Sequence, residues 1–150
     1  MVKVKECEKV IEVLNTLLAD EFVLYVKARN FHWNVVGPNF QELHKFFEEI
    51  YSEIETQIDD TAERVRTLGG RPLSSMGEFL ERTRLVDSSQ SVSAEEMLEE
   101  LEYDYRTMIQ NIDQAIKEVE EYEDVGSEDY LTGLLQDYEK KAWMISSMRK

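Results

Sequence analysis

The stretch Phe31-His32-Trp33-Asn34-Val35-Val36-Gly37-Pro38-Asn39-Phe40-Gln41-Glu42-Leu43-His44 decides how this chain is built. Gly37-Pro38 separates two long helical patterns, because proline cannot extend a helix and glycine accepts the backbone angles of a sharp turn. Both histidines of the chain flank this break, and Glu48 follows His44 by one helical turn. Farther along, Asp59 and Glu63 are again one turn apart. Imidazole and carboxylate together suit iron, zinc or manganese, so His32, His44, Glu48, Asp59 and Glu63 form a candidate metal-binding set.

Upstream of the break, Ile11, Leu14, Leu18, Phe22 and Tyr25 recur at helical spacing and predict a first helix over Cys7–Asn34. Downstream, Asn39 with Glu42 reads as a capping box that opens a second helix. Its apolar stripe is Phe47, Ile50, Tyr51, Ile54, Ile58, Ala62, Val65 and Leu68, and Gly69-Gly70-Arg71-Pro72 ends it. A third helix opens at Ser93, with Glu96 completing another capping box. It carries Met97, Leu101, Tyr105, Met108, Ile112, Ile116 and Val119 on one face. The fourth starts near Ser127, with Leu131, Leu134, Leu135, Tyr138, Trp143 and Ile145 as its apolar set. Short connections make the first–second and third–fourth pairs antiparallel hairpins. The longer segment from Gly69 to Ser93 can return along the bundle, and its run G-E-F-L-E-R-T-R-L predicts a short helix. The expected architecture is all-α: one domain over residues 1–150, a ferritin-like four-helix bundle with a short extra helix in the long crossover between helices two and three.

Composition narrows the function classes. Of the 150 residues, 33% are charged and 42% hydrophobic, which suits amphipathic helices around a core rather than a disordered chain. A net charge of −15 argues against a general nucleic-acid surface, which needs clustered Lys and Arg, and favours attraction of metal cations. Cys7 is the lone cysteine, so no intrachain disulfide and no C-x-x-C zinc pattern can form. No apolar run approaches the roughly 18 residues of a membrane span, and Met1-Val2-Lys3 opens no signal peptide, so a cytoplasmic protein is expected.

Spacing then sets a constraint on the candidate ligands. At about 100° per residue, Glu48, Asp59 and Glu63 fall within roughly 100° of His44, on a different face from the apolar stripe. Yet His44 and Asp59 are fifteen residues apart. That is roughly 22 Å along the axis, against metal–ligand bonds of about 2 Å. His32 can join His44 beside the turn; Asp59 and Glu63 of the same chain cannot. A two-fold dimer with antiparallel second helices would carry Asp59 and Glu63 of one protomer to His32, His44 and Glu48 of the other, giving two identical sites. The E-x-x-H motif of di-iron bundles is absent, since Gln41 and Arg29 stand three residues before the two histidines.

The runs N-F-H-W-N-V-V-G-P-N-F-Q-E-L-H-K-F-F-E-E-I-Y and D-D-T-A-E-R-V-R-T-L-G-G-R-P strongly resemble the DNA-protection-during-starvation (Dps) family of ferritin-like proteins. D-V-G-S-E-D and D-Y-E-K-K-A-W-M resemble that family's fourth helix. The resemblance implies a ferroxidase and iron store: Fe(II) is oxidised to Fe(III) with hydrogen peroxide as the oxidant, dioxygen being the alternative, inside a dodecameric homo-oligomer. It implies sites at two-fold interfaces, with His32, His44 and Glu48 from one subunit and Asp59 and Glu63 from its partner, and zinc as a competing ion. It further implies Trp33 as a radical quencher and Asp124, Asp129 and Asp137 as acids of an iron-entry pore. One departure stands out: only Lys3, Lys5 and Lys9 precede the first apolar stripe, in place of a long Lys-rich extension. With the acidic balance, this argues against direct DNA binding, so DNA would be protected through removal of iron and peroxide. The competing readings are a DNA-compacting shell and a structural shell whose site is vestigial or filled by zinc.

Overall fold

A computed structural model of the chain describes residues 4–87 and 92–150, with side chains from residue 7 onward; Lys3 and the Lys5 side chain lie outside the described residues. Five helices follow one another: α1 (Val4–Asn34), α2 (Phe40–Thr67), α3 (Met76–Arg82), α4 (Ala94–Glu120) and α5 (Val125–Met148). The expected all-α bundle is the observed one, and α3 is the expected extra helix in the crossover. Cross-links give the directions. Lys27 meets Asp104 and Asn111 meets Asp20, so α4 runs antiparallel to α1. Arg64 meets Asp124 and Lys141 meets Glu53, so α5 runs antiparallel to α2. Between the four long helices Leu14, Leu24, Phe47, Ile50, Ile54, Met108, Ile112 and Leu131 are wholly buried. Each such side chain contributes about 1.5–3 kcal/mol of hydrophobic stabilisation.

The crossover is held by polar groups of α1. Asp20 is 0% exposed. Its carboxylate accepts from Thr83 Oγ1 at 2.8 Å, the Arg84 backbone N–H at 2.6 Å, and Arg84 Nε and Nη2 at 2.9 and 2.6 Å. Asn15 donates to the Arg71 carbonyl and accepts from the Leu73 N–H. Between these anchors Ser75 and Glu78 form a capping box that opens α3, and Phe79 stacks on Phe22 at 4.1 Å. α3 stops at Arg82, short of the Leu85 at which the sequence pattern ended. Thr83 turns extended (φ −65°, ψ 145°), which brings it and Arg84 onto Asp20.

Three other expectations change. Asn39 makes no side-chain cap: the Gly37–Phe40 turn leaves it at φ −103°, ψ 25°, and Gly37 itself sits at φ +125°. The Phe40 N–H bonds the Gly37 carbonyl instead. α5 begins at Val125 rather than near Ser127, because Asp124 supplies the N-cap and accepts from the Ser127 N–H. Trp143 is 65% exposed rather than in the core. It lies two residues from Ile145, about 200° around the helix, off the stripe that Leu131, Leu134 and Tyr138 share with it. The Ser93–Glu96 capping box forms as expected.

Candidate functional site

The site begins at the end of α1. Its last carbonyls have no partner within the helix and must find one elsewhere. The His32 carbonyl finds His44, whose Nδ1–H donates to it at 2.6 Å; His32 Nδ1–H donates to the His44 carbonyl, also at 2.6 Å. Since a carbonyl can only accept, both Nδ1 atoms carry the proton when the rings are neutral. Each Nε2 is left with a free lone pair, the form in which imidazole binds metal.

The two rings stack at 3.8 Å and 14°, with Phe40 stacked on His44 at 4.9 Å and Tyr51 in a T-shaped contact with His32 at 5.2 Å. Arg29 lies 4.0 Å over the Tyr51 ring, bracing it from the α1 side. Phe40 and Tyr51 went unnoticed as site residues. Their signal was their spacing, four before and seven after His44, which puts them on its side of α2. Glu48, exposed and one turn beyond His44, brings an oxygen to 3.9 Å from His32 Nε2. His32 thus lies beside both His44 and Glu48 at one end of α2.

Asp59 and Glu63 are exposed near the other end of the same helix. They are near enough to interact, and the Asp59 charge is the main reason the Glu63 carboxyl is held above its ordinary value. They do not approach the histidines. Among the described residues, no three Cys, His, Asp or Glu side chains of one chain converge where an ion could be held. The remaining candidates are dispersed. Trp33, beside His32 in sequence, is 65% exposed, with the Arg29 guanidinium 6.0 Å from its ring. Asp124 is buried, bonded to Arg64 at 3.0 Å and to the Ser127 hydroxyl at 2.6 Å. Asp129 and Asp137 are exposed and line a groove between α2 and α5. No helix among the described residues is long and apolar enough to cross a membrane.

Known proteins share this architecture throughout. A family profile described as the ferritin-like domain matches residues 11–150. DNA protection during starvation protein 2 of Bacillus anthracis is 40% identical over 138 residues, which span 92% of this chain and 94% of that protein. The solved structure of a Dps protein from Vibrio cholerae O1 is described as a member of a broad superfamily of ferritin-like diiron-carboxylate proteins. It superposes with a TM-score of 0.96 at 29% identity, covering 99% of this chain and 94% of that one. A Dps protein from Bacillus brevis gives a TM-score of 0.95 at 35% identity, covering 99% of each chain. This chain belongs to the ferritin-like family, and within it to the DNA-protection-during-starvation proteins.

Proposed function

We propose that this single-domain chain oxidises ferrous iron and stores the ferric product, at sites completed only when two copies pair about a two-fold axis. The observation that carries the reading is the division of candidate ligands: an imidazole pair with free Nε2 atoms at one end of α2, a carboxylate pair at the other, and no complete site among the described residues of one chain. Antiparallel packing of two α2 helices brings Asp59 and Glu63 of the partner subunit to His32, His44 and Glu48, and symmetry repeats the arrangement.

Iron is the substrate here. Ring lone pairs lie in the ring planes, and these planes are nearly parallel. They do not converge on one point, so each imidazole serves its own ion, and the shared carboxylates hold the two ions as neighbours. Nitrogen donors admit Fe²⁺, and Zn²⁺ competes for them. The carboxylates favour the more highly charged ferric product. With hydrogen peroxide as oxidant the reaction balances as 2 Fe²⁺ + H₂O₂ + 2 H⁺ → 2 Fe³⁺ + 2 H₂O, each iron giving one electron. The Nδ1–H groups keep their protons throughout, fixed by the carbonyls they face.

The same reading assigns Trp33 as a sink for stray radicals, and Asp124, Asp129 and Asp137 as acids of an entry pore, with Asp124 held in place by Arg64. A dodecameric shell in the cytoplasm would hold the mineral. With a net charge of −15 the chain protects DNA by consuming iron and peroxide rather than by binding it. Anaerobic loading with Fe²⁺ followed by hydrogen peroxide tests the reading. Rapid ferric absorbance and iron that co-elutes with the shell are expected; oxidation at the rate of free Fe²⁺, with no retained iron, refutes it.

A further inference from the structure

On the side of α2 away from the histidines, polar side chains from three helices are joined end to end. The Tyr130 hydroxyl of α5 shares a 2.5 Å hydrogen bond with the Thr61 hydroxyl of α2, which lies 3.2 Å from Glu21 Oε2 of α1. The Tyr130 hydroxyl also lies 3.3 Å from the Gln57 carbonyl. Glu21 and Thr61 are 0% exposed. Tyr130 is half-buried and lines the α2–α5 groove together with Asp60, Asp129 and Asp137. The row therefore starts in the closed interior and ends on a residue of the groove wall. Among the described residues Thr61 is the one hydrogen-bond partner of the Glu21 side chain, and Glu21 Oε1 is buried with none. The charged groups that face it are both acids, Asp20 on its own helix and Asp60 on α2. The phenols of Tyr130 and Tyr138 face it from α5, and α4 adds Tyr105, whose ring lies 5.1 Å from that of Tyr138.

A charged carboxylate oxygen that is buried and unpaired costs the fold more than the oxygens of a neutral acid. We propose that Glu21 is held as the neutral acid and exchanges its proton with the α2–α5 groove through the hydroxyls of Thr61 and Tyr130. With Glu21 ionised, Tyr130 donates to Thr61 and Thr61 donates to Glu21 Oε2. A proton passed from groove water to Tyr130 Oη displaces the one already there. Tyr130 gives its own proton to Thr61, and Thr61 gives its own to Glu21. The bonds then run the other way, from Glu21 to Thr61, from Thr61 to Tyr130 and from Tyr130 to the Gln57 carbonyl. One proton has entered, the carboxylate is neutral, and no hydroxyl is left charged. Burial, with smaller contributions from Asp20 and Asp60, pushes the Glu21 carboxyl well above its ordinary value despite the Thr61 bond. Burial and then the Glu21 charge push both phenols of α5 up as well, so they remain hydroxyls. The buried acid thereby follows the pH of the groove while the bundle stays closed. The inference does not rest on the iron reading, and its test needs no metal.

The probe is the infrared C=O stretch of the neutral acid in the assembled protein near neutrality, isolated by subtracting the spectrum of Glu21→Gln. On transfer to D₂O the wild-type band should shift before the surrounding α1 amides exchange, because those amides wait for the bundle to open. Thr61→Val keeps the shape of the side chain and Tyr130→Phe removes only a hydroxyl. Each should retain the band and slow its shift at least about tenfold, toward the pace of the amides. Thermal unfolding checks that each variant is folded, and either variant alone decides the matter. Absence of the band would show an ionised Glu21 and overturn the proposal. A wild-type shift no faster than the amides, or an unslowed shift in a folded variant, would overturn it equally, since the two hydroxyls would then carry no proton to Glu21.

Discussion

The two sides of α2 carry polar groups under opposite conditions. On the outer side Glu48, Asp59 and Glu63 are exposed and solvated, so they cost the fold little, and they complete no metal site among the described residues of one chain. On the inner side Gln57 and Thr61 stand in the buried wall of the bundle among Phe47, Ile50, Ile54 and Val65, and their hydrogen bonds are counted atom by atom. Chemistry that waits for a second molecule can be placed on a surface without strain. Polarity placed in a core must be satisfied there or cost stability.

Substitutions on the two sides should therefore separate function from folding. The largest effect belongs to the outer side. Asp59→Ala with Glu63→Ala should drop peroxide-driven iron oxidation to the rate of free Fe²⁺, while thermal stability moves by no more than about 0.5 kcal/mol. A stability loss comparable to a core mutation would mean that these acids hold the fold, and the comparison would break. On the inner side, Phe47→Ala should cost about 3–5 kcal/mol in denaturant unfolding, because the side chain is wholly buried. Asp20→Ala should cost somewhat less, about 2–3 kcal/mol, since the half-exposed Arg84 regains water when its carboxylate is lost. Limited proteolysis should then cut first between Arg71 and Arg84, the segment that Asp20 and Asn15 hold.

The smallest effect is a pH dependence and carries a definite sign. The Glu21 carboxyl is held well above its ordinary value, chiefly by burial. As pH rises past the unfolded value, the unfolded chain loses this proton while the folded chain still holds it, so stability falls through that window and levels off above the folded value. Unfolding followed between pH 4.5 and neutrality, in chelator and without divalent ions, should show this decline, and Glu21→Gln should flatten it. An unchanged slope in the variant would assign the dependence to another group.

What the sequence made legible follows the same divide. Apolar spacing located the four long helices, the run in the crossover pointed to α3, and simple arithmetic along α2 already separated His44 from Asp59. The box at Ser93 could be read because its backbone is extended; the one at Asn39 could not form because the Gly37 turn set its angles first. Ser75-x-x-Glu78 is an equally visible box, and it opens α3 at Met76, one residue before the Gly77 that begins the run G-E-F-L-E-R-T-R-L. Asp20, Glu21, Gln57 and Thr61 were hidden because polarity in an amphipathic pattern reads as surface, and only packing shows that their helices turn them inward. The mutual bonds of the histidines were hidden for another reason: they depend on ring orientation, which spacing does not encode.

Those mutual bonds make the histidine pair a mechanical linkage between two helices. Each ring hangs from the other helix's backbone, so neither can swing without loosening its neighbour. A cation drawn to either Nε2 withdraws electron density from its ring, makes the Nδ1–H a stronger donor and tightens the grip on the opposite carbonyl. Filling the proposed site would thus stiffen the corner where the chain reverses. The converse also holds: lengthening the Val35–Asn39 turn by one residue would slacken both bonds together and weaken iron binding at the proposed site without altering any of its proposed ligands.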